Sequence, residues 1–219
     1  EHGVTEETRS SCEDALAANP NDPELMTSLG GMYLHDGNRA RAKELLETAV
    51  DLGGVEARKG LGLVLMSGRA LPQNYVKALS LLQGPAEAGD HDAQNMLGVL
   101  YLSGVGIPAN TENALRWLRL AAESGHIKAQ TNLGRLLTSG GHVPPDYDEG
   151  RRWLETAIEG GSLSGQTYLG QMYHLGLGVE RDHDRALALF RQPAEAGEPQ
   201  AQATLALMYL KGVGVAQSD

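Results

Sequence analysis

The chain is poor in the residues that fasten small folds or build common catalytic centres. Cysteine occurs once, at Cys12, so no disulfide can close within the chain and no zinc site can be assembled from thiolates. A lone cysteine of this kind reads as a small apolar residue on a helix. Aromatic residues make up only 5% of the 219 positions. Cations are outnumbered, 18 Lys and Arg against 28 Asp and Glu, for a formal net charge of −10. An acidic surface repels phosphate backbones and anionic membrane surfaces, so nucleic acid is not an expected partner. No apolar run approaches the roughly 18 residues that cross a bilayer, so membrane insertion is not expected. The chain opens on Glu1 rather than Met, as a processed or trimmed chain does, and the lack of a leader therefore decides nothing.

Catalytic signatures are missing too. None of the seven histidines sits in an H-E-x-x-H pattern, and there is no G-x-S-x-G elbow. An enzyme reading has nothing positive to stand on, and no cofactor or metal is expected. Gly104-Val105-Gly106, Gly176-Leu177-Gly178 and Gly212-Val213-Gly214 superficially suggest phosphate loops. They lack the preceding strand, the following Lys-Ser/Thr and the third glycine, and read instead as loops between helices. The group Glu180, Asp182, His183 and Asp184 has metal-ligand chemistry, but a polar loop in which Asp182 caps a helix is the simpler reading.

What the chain does have is glycine, 28 residues of it, placed by a period. Leu-Gly recurs at Leu29-Gly30, Leu61-Gly62, Leu97-Gly98, Leu133-Gly134 and Leu169-Gly170, and a sixth copy reads Leu205-Ala206. Most steps are 36 residues. Four positions before the Leu stands a small residue (Ala57, Ala93, Ala129, Gly165, Ala201). Four after it stands Tyr or Leu (Tyr33, Leu65, Tyr101, Leu137, Tyr173, Tyr209). Spacing of this kind marks one face of a helix, here called A. A second helix, B, follows with small residues at Ala42, Ala78, Ala114, Gly150 and Ala186. Leu45, Leu81, Trp117, Trp153 and Leu189 lie three positions on, as core packing.

Helix B has start and stop signals. Asn74, Asn110, Asp146 and Asp182 precede it and can accept the orphan amides of its first turn. Gly53, Gly89, Gly125, Gly161 and Gly197 follow it, where a left-handed residue ends a helix cheaply. The Leu-Gly glycines lie inside helix A, where each costs about 1 kcal/mol relative to Ala. Close approach of helices A and B is the natural offset. Pro85 and Pro193, three repeats apart, are expected to bend helix B or end it early. The column Gln94, Gln130, Gln166, Gln202 reads as a solvated face or a ladder of hydrogen bonds between repeats.

These columns resemble the Sel-one-like repeat family of the tetratricopeptide superfamily. The resemblance is carried by Ala93, Leu97, Gly98, Tyr101, Gly104, Gly106, Asn113-Ala114-Leu115, Trp117 and Ala121-Ala122-Glu123-Ser124-Gly125, and recurs through 54–215. It implies an all-α, right-handed α-solenoid of tandem antiparallel helix pairs. The expected organisation is one solenoid over 1–219. A capping helix lies in 1–20, a tetratricopeptide-like repeat over 21–53, full repeats over 54–89, 90–125, 126–161 and 162–197, and a partial repeat over 198–219, after which the array is expected to continue. The first repeat lacks a four-residue loop extension, and Asn19-Pro20-Asn21-Asp22-Pro23 looks like an ordinary tetratricopeptide boundary.

The resemblance also implies a function: a scaffold or adaptor that binds a partner protein or peptide in a concave groove lined by helix A. Groove positions lie two before, two after and five after each Leu of Leu-Gly. They map to Leu63 and Met66, then Asn95, Val99 and Leu102, then Thr131, Arg135 and Thr138, then Thr167, Gln171 and His174. These columns vary between copies while the packing columns do not, as suits a surface that reads a specific segment. The earlier copies are apolar and the later ones polar, which suits a segment with an apolar end and a polar or acidic end. Family context implies a bacterial envelope, assembly or signalling setting, periplasmic or secreted, with the cytoplasm as the alternative. Two other roles stay open: an appendage that directs a larger enzyme, and a self-associating spacer.

Overall fold

The computed structural model describes residues 6–68, 70–104, 106–141 and 143–213. Glu1, Val105 and Gly214, named above, lie outside them. Among the described residues there are twelve α-helices and no strand. Contacts gather them into two compact units, residues 1–110 and 111–219. The first holds α1 (Glu6–Ala18), α2 (Pro23–His35), α3 (Arg39–Asp51), α4 (Val55–Ser67), α5 (Tyr75–Glu87) and α6 (His91–Ser103). The second holds α7 (Thr111–Glu123), α8 (Ile127–Ser139), α9 (Tyr147–Glu159), α10 (Leu163–Leu175), α11 (His183–Glu195) and α12 (Pro199–Leu210). From α2 onward, even-numbered helices are A helices and odd-numbered ones are B helices.

Helix limits follow from side-chain chemistry. The carboxylate of Asp22 accepts from the amides of Glu24 and Leu25 to open α2. Asn74, Asp146 and Asp182 accept from the amides of Lys77, Glu149 and Arg185 to open α5, α9 and α11. Each B helix closes on a glycine with positive φ, such as Gly53 at 91° and Gly161 at 91°. The next amide then turns back onto the last turn: Gly54 to the Ala49 carbonyl, Ser162 to that of Ala157. Between α2 and α3 lie three residues, 36–38, whereas 68–74 and its later counterparts have seven. The first copy does lack the extension.

One expectation is corrected. Helices α5 and α11 contain Pro85 and Pro193 yet run 13 residues, like the other B helices. The prolines do not end them early. Each lies in the last turn, where one forgone amide is the whole loss, and its carbonyl accepts the closing amide of Asp90 or Glu198. Cys12, as read, lies half-buried on α1 against the cluster of Met26, Leu29 and Leu45.

The contact that joins A to B is tight. A Cβ placed on Gly30 would come within 2.9 Å of Leu46, on Gly62 within 3.0 Å of Leu82, and on Gly170 within 2.9 Å of Phe190. On Gly134 it would meet Leu154 at 2.7 Å and the Gly150 carbonyl at 2.9 Å. Leu82, Leu154 and Phe190 are wholly buried. Glycine in helix A is thus the seat for one large side chain of helix B. Within each unit, neighbouring pairs stack: α4 contacts α2, α3, α5 and α6, and α10 contacts α8, α9 and α11.

Two substitutions of the same chemistry should therefore move stability in opposite directions. Gly134→Ala should destabilise by about 1–3 kcal/mol through overpacking against backbone and a buried leucine. Gly60→Ala, where nothing lies within 4 Å of the added carbon, should stabilise by up to about 1 kcal/mol. Urea unfolding monitored by circular dichroism measures both.

Candidate functional site

Many polar groups on the A helices serve the stack itself. The buried amides of Gln94 and Gln130 donate to the carbonyls of Ala86 and Ala122 at 3.1 and 3.2 Å, and Gln202 donates to that of Ala194 at 2.9 Å. Gln166 instead donates to the Gln192 side chain at 3.0 Å. Three of the four glutamines thus satisfy late carbonyls of the preceding B helix. Sequence had left that open against a solvated face.

A second set of clips joins successive A helices. It links the position two before the Leu of Leu-Gly to the N-cap of the next A helix, 31 residues on. Lys59 donates to Asp90 at 2.8 Å in the first unit. In the second unit the Thr131 and Ser162 hydroxyls share a hydrogen bond of 2.8 Å, and the Thr167 hydroxyl donates to Glu198 at 2.5 Å. Ser162 also accepts the Gly165 amide, so the clip holds a residue that caps α10.

This bears on the candidate groove residues. Thr131, Thr138 and Thr167 are buried at 6%, 7% and 0% exposure. The Thr138 hydroxyl donates to the Gly134 carbonyl. Leu102 is buried at 9%. These four pack the structure and present little surface to a partner. Leu63 is exposed, Met66, Asn95 and Val99 are half-buried, and Asn95 has a polar partner of its own. Arg135, Gln171 and His174 are half-buried. In the second unit, Arg135, Thr138 and Gln171 are brought together in one cavity of about 380 Å³, walled by α8, α10 and Gln200 of α12. Its other walls include Ser139, Tyr168, Met172 and Leu175, which the groove rule had not singled out. Leu175 is 52% exposed, and its isolated apolar side chain at the end of α10 was the available signal.

His174 faces elsewhere. Its ring lies 5.2 Å from that of His183, tilted by 53°, and the Nδ1 atoms of both are buried without a hydrogen-bond partner. Burial, reinforced by His183, Arg181 and Lys211, holds the His174 imidazole below its ordinary value of 6.5. Nearby, Arg185 lies over the Tyr173 ring at 4.4 Å.

With this geometry in place, the molecule is an all-α solenoid of helix pairs. The family model described as Sel1 repeat matches residues 23–54, 55–90, 91–126, 127–162, 163–198 and 199–219. The chain belongs to the Sel1 repeat family, and its first copy, read above as tetratricopeptide-like, is within the match. Among solved structures, the chain is similar to a protective antigen present in uropathogenic Escherichia coli strains that displays an SLR fold. The two share 32% identity and a TM-score of 0.75, over 96% of this chain and 45% of that one. It is also similar to a Sel1 repeat protein from Oxalobacter formigenes, at 27% identity and a TM-score of 0.73, over 88% of this chain and 78% of that one. The chain thus spans under half the length of the Escherichia coli antigen. No protein of curated function matches it. Sel1 repeat proteins are generally protein-interaction scaffolds, and the fold is typically non-enzymatic.

Two consequences can be measured. Thr167→Val keeps the shape but leaves the Glu198 carboxylate without its donor, and should destabilise by about 1.5–3 kcal/mol in denaturant titration. His174 favours its neutral form in the fold. The stability this confers is full above the unfolded pKa of about 6.5 and is lost as pH falls through the lower folded value. The melting temperature should therefore fall as pH drops below about 6.5. His174→Gln should shrink that fall.

Proposed function

We propose that this chain is a binding scaffold, not an enzyme, whose A-helix surface in the second unit holds an extended segment of a partner protein. The observation that carries this reading is the cavity lined by Arg135, Gln171 and Leu175. It is concave, and it lies on the A helices, whose B-helix side is occupied by packing. It also mixes an apolar floor with a few polar groups, the usual make-up of a recognition site. In the first unit, exposed Leu63 and half-buried Met66 and Val99 offer apolar surface of their own. The role fits an envelope, assembly or signalling setting, with the chain in the periplasm or outside the cell. Family membership supports the binding class, and the partner is a protein or peptide.

The test is capture. The immobilised chain is challenged with lysate of the source cells, and retained proteins are identified by mass spectrometry and then titrated as pure components. Gln171→Trp with Leu175→Glu fills and charges the cavity. It should weaken the captured partner roughly tenfold or more while the circular dichroism spectrum stays helical. Undiminished capture would place the contact on another surface.

A further inference from the structure

The three A helices of the second unit contain no Asp or Glu, although the chain has 28. The acids of that unit sit on B helices and loops; α9 alone carries Asp148, Glu149, Glu155 and Glu159. Arg135 is the single charged residue lining the cavity. Among the described residues, the ion pairs of the unit engage Arg119 and Arg151 rather than Arg135. Glu198, the acid at the N-cap of α12, is held by the Thr167 hydroxyl. Among the described residues, the cavity therefore presents a guanidinium without an acid partner beside the amides of Gln171 and Gln200, with Leu175 and Met172 as apolar neighbours.

A half-buried guanidinium with no counter-charge is a donor fork awaiting an acceptor, and a carboxylate meets it with two parallel hydrogen bonds. The chain as a whole carries −10 and repels an acidic partner at long range. That repulsion is screened beyond roughly 8 Å at physiological ionic strength, whereas a contact inside the cavity is not. We infer that the segment held here presents an Asp or Glu side chain to Arg135 and an aliphatic side chain to Leu175: the partner is an acidic-aliphatic stretch of polypeptide. This rests on the docking reading above and names the chemistry of its occupant.

The test uses short fluorescent peptides alternating Leu with Glu, Leu with Gln, or Leu with Lys, titrated by anisotropy at physiological salt. The proteins are the full chain and its Arg135→Gln, Arg135→Glu and Gln171→Trp variants, each checked for helicity. The Leu/Glu peptide should bind the unaltered chain roughly tenfold tighter than its Leu/Gln isostere. Arg135→Gln should erase that preference, and Arg135→Glu should turn it toward Leu/Lys. Equal binding of the Glu and Gln peptides, or a preference that survives Arg135→Gln, overturns the inference. If such indifferent binding is lost with Gln171→Trp, the docking reading stands and only the acid preference falls. If no peptide binds, both fall.

Discussion

The structure depends on one contact, the seating of a helix-B leucine or phenylalanine on a helix-A glycine. With a side-chain carbon in that place, Leu154 or Phe190 would overlap it by several tenths of an ångström, and the two helices would have to part. Glycine costs about 1 kcal/mol of helix propensity at each such position. Complete burial of the facing leucine contributes about 1.5–3 kcal/mol, so the exchange favours the pair. A helix pair closed in this way still has apolar surface on its flanks, and stacking against the next pair buries it.

Stacking also has to satisfy polar groups, and here the repeats divide their labour. Gln94, Gln130 and Gln202 attend to carbonyls at the end of the previous B helix. The position two before the Leu of each Leu-Gly reaches forward to the cap of the next A helix, as Lys59 does to Asp90 and Thr167 to Glu198. These bonds tie the start of each A helix to its predecessor, so capping and stacking form together. Side chains spent this way are withdrawn from recognition. In the second unit, Arg135, Gln171 and Leu175 line a cavity and keep surface open to solvent, while Thr138 and Met172 beside them are buried in the packing.

Charge is distributed in keeping with that division. Acids crowd the B helices, where water solvates them and where arginines such as Arg119 and Arg151 meet them. The A helices of the second unit carry none. An acid lining the cavity would pair with Arg135, and these helices carry none.

The period of 36, most start and stop signals of the B helices, the turn glycines and the glycine-mediated packing were legible in the residues. Each is a local or periodic property, written in spacing and in the backbone preferences of Asn, Asp and Gly. The groove was legible only as a set of columns. A column fixes the face of a helix to within a turn, but not whether a neighbouring cap reaches over to claim the side chain. Thr131 and Thr167 were read as groove positions, yet the next repeat buries both threonines and takes their hydroxyls. Likewise the two prolines were read by their intrinsic effect, and the last-turn geometry made that effect small. Periodicity is set by each helix alone, whereas exposure and free hydrogen-bonding capacity are set by what the following repeat places 31 residues further on.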